Sequence, residues 1–437
     1  MKFQAVVILL MVSLATVAAE SQNQIQHVVV IFQEDRTPDN LFHGLPNADI
    51  ANSGMNSKGQ KIVLQPMPLN NNYHVNHTHP AFEAMYDSGK MDGADKQAVY
   101  CNVGAKHCPP ANPQFKYVPR SQVAPYFKMA EQYTFADRMF QTNEGASFSA
   151  HQFILAGTSA PSTTSSLFAA EEPTGITNAI LNTGCTAPPQ EYVLLIDSSG
   201  DENQQMYPCF EHPTMPDLLD NAKVSWRFYT PSATFLWTAP NAISHLRFGP
   251  DWKNVILQPK QIFKDIAKGQ LPGVSWVIPT WLESDHAGSN NGTGPSWVAS
   301  VVNAIGKSSY WPNTVILIAW DDWGGWYDHV PPPKVLKDCQ EWGCGFVYGF
   351  RVPLIVMSPY ARKGYVSHVT HDFGSILKFI EGVFALPSLG YADAYADDLS
   401  DCFRFDAAPR AFHPIPAPYD ASYFLNHAEP LGDPDDD

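Results

Sequence analysis

Two acidic pairs carry the densest chemistry in the sequence. Glu34-Asp35 follows the apolar run His27 to Phe32 after one intervening Gln33, and Asp321-Asp322 directly follows the run Thr314 to Trp320. Four carboxylates brought to one point repel strongly unless a cation lies between them. An all-oxygen donor set suits a hard or borderline divalent ion. Either pair alone reads as solvated loop acids that cap helices, whereas two pairs at matching positions favour the ion. A third run, Val274 to Ile278, leads to Ser284-Asp285-His286. The imidazole of His286 is a candidate ligand, general acid or phosphate donor, set against the commoner structural role of a lone histidine.

The elements that must position these groups are strands with polar residues at their carboxyl ends, where open α/β sheets bind ligands. The four runs His27 to Phe32, Val274 to Ile278, Thr314 to Trp320 and Val352 to Met357 are mostly continuous rather than alternating, as in strands covered on both faces. Between them fall helical patterns over Tyr126 to Tyr133, Phe148 to Ala156, Met215 to Ala222, Ser296 to Ile305 and Asp372 to Phe384, the last with Asp372 as cap. The alternation predicts a layered α/β fold. Loops rich in Pro, Asn and Gly, notably Met55 to Pro80 and Ser159 to Gly175, are expected to form insertions at about 50–125 and 159–212 within one domain spanning 20–437. The tail after Asp401, with four Asp in its last five residues, reads as a surface extension.

Composition narrows the function classes. Of 437 residues, 44% are hydrophobic and 16% charged, which excludes a disordered regulator. A net charge of −16 repels phosphate backbones and anionic surfaces, so nucleic acid is not an expected partner. Lys2, the apolar stretch Ala5 to Val17 and the small residues before Glu20 resemble a secretory leader cleaved after Ala19, too short to span a bilayer. Secretion or periplasmic export without a stable membrane anchor is therefore expected. Of seven cysteines, Cys101 and Cys108, Cys185 and Cys209, and Cys339 and Cys344 form local pairs and Cys402 is odd; spacing leaves the connectivity open.

Further motifs, taken with these, resemble a known family. Q-E-D-R-T-P-D-N-L-F (33–42) is similar to the Q-E-N-R-S-F-D-N/H-x-F opening of the secreted phosphoesterases that include bacterial phospholipases C and acid phosphatases. The resemblance continues in order through G-K-M-D-G (89–93), A-D-R-M-F-Q-T-N-E-G-A-S-F-S-A-H-Q (136–152), C-F-E-H-P-T (209–214), S-D-H (284–286), W-D-D-W-G-G-W-Y-D-H-V-P-P-P (320–333) and R-V-P-L-I-V-M-S-P-Y-A (351–361). It implies an alkaline phosphatase-like fold, a three-layer α/β/α sandwich around a mostly parallel sheet. It also implies a serine nucleophile at a helix start, Ser147, with Ser149 close by. One divalent cation would be held by Glu34, Asp35, Asp321 and Asp322. Asp35 departs from the family's Asn, which adds a negative charge at the ion. His77 is the implied active-site histidine, with His79 and His74 as fallbacks, His286 the second and His212 a third. His151, Asp328, His329, His368 and His371 are read as structural, with His151, one helical turn after Ser147, the nearest to a site role.

The function these expectations favour is metal-dependent hydrolysis of a phosphate ester, a monoester first and a phospholipid diester as the alternative. A non-catalytic exported binding protein of the same fold is a third reading. The sulfatase nucleophile motif and the G-x-S-x-G elbow are absent from the sequence, and no D-x-x-x-H two-zinc pair stands out at a strand end.

Overall fold

The computed structural model describes residues 24–288, 290–335, 343 and 345–427. The leader-like segment, the Cys339–Cys344 pairing and the final Asp-rich residues lie outside the described residues.

Eight strands form the central sheet: β1 (His27–Gln33), β2 (Thr134–Ala136), β3 (Trp226–Tyr229), β4 (Val255–Ile256), β5 (Val274–Val277), β6 (Thr314–Trp320), β7 (Leu354–Met357) and β8 (Tyr365–Ser367). Their order is β4-β3-β5-β1-β6-β7-β2-β8. β7 runs antiparallel to β6 and β2, while the other pairings are parallel. The four expected strands are all present, and β6 has the predicted bounds. β2, β3, β4 and β8 span two to four residues each, too short for a periodicity to register.

Every residue of β6 is buried, as are six of the seven in β1, so both faces of the sheet are covered. Phe32 packs on Phe373 with ring centroids 6.0 Å apart, and Trp320, pointing to the opposite face, packs on Tyr126 at 5.0 Å. The helices divide accordingly. Ser147–Ala156, Met215–Asn221 and Phe373–Phe384 pack together, and Ala124–Gln132, Gln261–Ala267 and Gly294–Gly306 pack together. The result is the expected layered α/β architecture. Asp372 caps the Phe373–Phe384 helix as anticipated, in a reciprocal pairing with Ser375.

The expected insertions carry small sheets of their own. Ser53–Met55 pairs with Lys61–Val63, Tyr73–Val75 with Val99–Cys101, and Val193–Ile196 with both Phe168–Ala169 and Gln204–Met206. Two disulfides, Cys101–Cys108 and Cys185–Cys209, fasten these regions. The described part of the segment after Asp401 runs mostly over the surface but is anchored by four apolar residues. Cys402, Phe403, Ile415 and Phe424 are buried, and Phe424 packs on Trp297 at 5.3 Å. Its apolar residues are spaced too irregularly for a periodic signal, yet these four find a place on the body.

Candidate active site

Strand register creates the site. β1 and β6 pair residue for residue from His27–Thr314 to Gln33–Trp320, so Glu34 and Asp321 leave the sheet side by side. The Asp321 N–H donates to Gln33 O at 3.0 Å and the Arg36 N–H to Asp322 O at 3.0 Å, carrying the pairing into the loops. Asp35 has φ 65°, a left-handed conformation that Asp and Asn tolerate better than most residues. Its N–H donates to Asp321 Oδ1 at 3.2 Å, and the Asp322 N–H donates to the same oxygen at 2.8 Å. Gly324 closes the turn with φ 59°; a Cβ there would lie 2.5 Å from Asp35 O, so glycine is required.

Other elements bring the remaining groups. Ser147 opens the Ser147–Ala156 helix, and its Oγ–H donates to Asp322 Oδ2 at 2.9 Å. Ser149 is occupied elsewhere, donating to Ala146 O and Ala170 O and accepting from Asn143. His77 enters from the loop after Tyr73–Val75, with Nε2 3.8 Å from Asp35 Oδ1 and 3.7 Å from Asp322 Oδ2. His286 enters from the loop after β5, with Nε2 3.2 Å from Asp35 Oδ2. In both rings Nδ1 meets a backbone carbonyl, Val75 O at 3.0 Å and Ala287 O at 2.8 Å, which turns Nε2 toward the carboxylates.

His151 belongs to the same cluster. Its Nε2 lies 3.4 Å from Glu34 Oε1 and 3.7 Å from Asp321 Oδ2. Its spacing of four residues from Ser147 was the available signal, since that interval keeps two side chains on one helix face. His212 is not brought in. Its Nδ1 lies 3.1 Å from Pro213 O and its ring meets Tyr391 at 6.1 Å, beside the far end of the Ser147–Ala156 helix. The fallback histidines stand apart in different degrees. His74 packs on Tyr100 at 5.0 Å and His286 at 6.3 Å. His79 lies 3.3 Å from Glu144 and 3.1 Å from Glu202, and these bonds outweigh its burial and raise its pKa to about 10.

The cluster is enclosed. Glu34, Asp35, His77, Ser147, His151, Asp321 and Asp322 are inaccessible to solvent, and Trp281 packs against His286 at 4.3 Å. Burial, together with the charges of Asp321, Asp35 and Asp322, holds the Glu34 carboxyl well above the ordinary carboxylate range. Among the described residues neither Glu34 oxygen nor Asp321 Oδ2 accepts a hydrogen bond. Buried, crowded carboxylate oxygens without donors fit a divalent cation, which would supply the missing positive charge. Asp35, His77 and His286, and likewise Glu34, His151 and Asp321, converge closely enough to share an ion.

A helix start commonly offers backbone N–H groups to an anion, but at Ser147 the next N–H, that of Phe148, donates to Glu172 Oε1 at 2.9 Å. Arg36 is also spoken for: it donates to Asp285 O, Asn40 Oδ1 and Leu69 O. Asp285 accepts from Tyr126 and Trp320, and burial still raises its pKa to about 6. Arg36 and Asp285 thus brace the loops that carry Asp35 and His286.

Known proteins share sequence with this chain. The chain is 28% identical to phospholipase C B of Mycobacterium tuberculosis over 46% of its own length and 44% of the relative's. It is 22% identical to the non-hemolytic phospholipase C of Pseudomonas aeruginosa, covering 87% and 57% respectively. The chain therefore spans about half the length of the curated relatives it matches. Among solved structures it resembles a Vibrio parahaemolyticus protein of the alkaline phosphatase superfamily, with TM-score 0.36, 10% identity and coverage of 85% and 70%. Residues 25–387, which hold every member of the cluster, match the Phosphoesterase family, and the chain belongs to that family.

Proposed function

We propose that the protein is a divalent-cation-dependent hydrolase of phosphoric esters with Ser147 as nucleophile. The observation that carries this reading is the 2.9 Å hydrogen bond from Ser147 Oγ to Asp322 within a buried group of carboxylates and imidazoles. Glu34, Asp35, Asp321 and Asp322 would hold the cation. When bound, it offsets charge on the phosphoryl oxygens and makes the serine hydroxyl easier to deprotonate.

The protein's own groups do the rest. Asp322 accepts the Ser147 hydroxyl proton's hydrogen bond and aims Oγ at phosphorus. Attack forms the bond from Oγ to phosphorus and breaks the ester P–O bond; the proton lost by Oγ ends on the leaving alcohol. His77 and His286 are the groups proposed to move that proton through Nε2, since Nδ1 of each is engaged by backbone. Water then attacks the phosphoserine, breaking the bond from Oγ to phosphorus, and the same imidazoles carry water's proton to Oγ, restoring the Ser147 hydroxyl. His212, which packs by Pro213 and Tyr391 away from this cluster, is left out of the proposed reaction.

The relatives named phospholipases C support a phospholipid diester as substrate over the monoester that the sequence placed first. Export remains part of the proposal, supported by the leader-like N-terminus and the two disulfides. Among the described residues no helix is long and apolar enough to cross a membrane.

Purified protein is assayed on an aryl phosphocholine and an aryl phosphomonoester, with and without chelator, beside Ser147→Ala. Diester turnover that chelator abolishes and that falls at least roughly 10⁴-fold in Ser147→Ala supports the phospholipase C reading. Turnover of the monoester alone moves the assignment to a phosphatase. No turnover of either with several divalent ions leaves a binding protein of the same fold and sinks the hydrolase reading.

A further inference from the structure

A second group of ligand-type side chains lies at the edge of the sheet. Ser367 ends β8, His371 follows four residues later, and Asp401 and Cys402 close a short 3₁₀ turn, Ser400–Cys402. β8 is three strands from β6, about 14 Å at ordinary strand spacing, so this group is separate from the carboxylate cluster. Cys402 Sγ, His371 Nε2 and Asp401 Oδ1 converge within 4.8 Å of one another. Cys402 and His371 are buried, and Asp401 is partly exposed.

The separations suit a metal site as well as the hydrogen bonds that Ser367 Oγ and Cys402 Sγ make in this cluster. Sγ lies 3.5 Å from Asp401 Oδ1, and His371 Nε2 lies 3.7 Å from that oxygen. The second distance is too long for a hydrogen bond. Tetrahedral zinc with bonds of about 2.0–2.3 Å sets its ligand atoms about 3.3–3.8 Å apart, a span that includes both distances. The outer groups fit as well. His371 Nδ1 lies 3.0 Å from Asp397 Oδ1, the carboxylate–histidine arrangement that steers Nε2 toward a metal. Ser367 Oγ, 3.1 Å from Nε2 and 2.5 Å from Asp401 Oδ2, is placed to serve as, or to hold a water for, the fourth ligand. The backbone of Cys402 is anchored independently, its carbonyl accepting from Thr134 Oγ1 and the Arg362 N–H.

We propose that Cys402, His371 and Asp401 bind a zinc-type divalent cation that fastens the short edge strand β8 to the segment around 397–402. The thiol gives up its proton on binding, and the metal replaces it as partner of the sulfur. A thiolate, an imidazole and a carboxylate together select a softer ion than the carboxylate-rich active site does.

Cobalt loading of the full-length chain tests the site. Wild type and Cys402→Ser are stripped with chelator, reloaded with Co²⁺ and gel-filtered. Bound cobalt and the near-ultraviolet thiolate-to-cobalt absorption are then measured. Wild type is expected to retain one equivalent more than Cys402→Ser and to show the absorption, which Cys402→Ser lacks. Asp321→Asn, altered at the active site alone, is expected to keep it, as is a chain with both Cys339→Ser and Cys344→Ser. Should Cys402→Ser fail to fold, His371→Gln provides the same comparison. No absorption in wild type, equal retention in the two chains, or absorption that disappears with Cys339 and Cys344 overturns the proposal.

Discussion

Ser147 and Ser149 sit two residues apart at the start of one helix, and their hydrogen bonds separate them. Ser149 is spent on backbone carbonyls, whereas Ser147 meets a carboxylate of the ion cluster. Asp35 is the other informative residue. Asn shares its tolerance of the left-handed conformation, so Asp35→Asn changes charge without changing the turn. It also removes one of the charges crowding Glu34. The expected outcome is a metal-free protein that melts no lower than wild type but binds a divalent cation at least roughly tenfold more weakly. Calorimetric titration and thermal melts check this, and unchanged affinity would exclude Asp35 as a ligand. At this scale the acidic pairs and His286 were legible because polar residues at the ends of apolar runs stand out. Ser147 and His77 were reached through family resemblance. His212 shared that resemblance but packs elsewhere, because its loop follows the Phe210 pairing with Ile243 rather than a strand end.

Turns and short loops convert those residues into a site. The turn at Gly324 presses on Asp35, so Gly324→Ala must distort one or the other. A loss of about 1–3 kcal/mol in unfolding free energy, with weaker cation binding, is expected from urea denaturation and titration. Beside the site, His329 ties the loop after β6 to the helix after β1, with Nδ1 2.8 Å from Asp39 and Nε2 3.0 Å from Asp49. Burial would lower its pKa, but the hydrogen bond and charge of Asp39 and the charge of Asp328 raise it to about 9 from 6.5. A raised histidine pKa stabilises the fold fully below 6.5 and loses that contribution as pH climbs through 9. With its partial exposure, this amounts to about 2 kcal/mol at pH 7. Unfolding free energy is therefore expected to decline between pH 7 and 9.5, and by less in His329→Gln. Equal slopes in the two proteins would remove His329 as the cause.

Over the whole molecule, the net charge of −16 opposes approach to anionic surfaces. Long-range repulsion is screened by salt, with a Debye length of about 10 Å at 0.1 M. If the substrate is a phospholipid, turnover on vesicles containing anionic lipid is expected to be slower than on zwitterionic vesicles at low salt. The gap should narrow as salt is added. A fixed ratio across ionic strength would show that local contacts, not net charge, control encounter.

By itself the sequence determined the layered α/β plan, because continuous, largely apolar runs such as Thr314–Trp320 bury both faces when helices cover the sheet on each side. It also determined where acids would emerge and that Asp372 would cap its helix, since both are short-range patterns. Tertiary structure decided which groups meet. Asp35 and Asp321 are joined across 286 residues, Ser147 reaches Asp322 across 175, and His151 and Cys402 acquired their partners in the same way. The sheet order that brings β1 beside β6, and leaves β8 at the edge, rests on pairings between distant strands. Those pairings depend on the packing of the whole core, and no local window of sequence contains them.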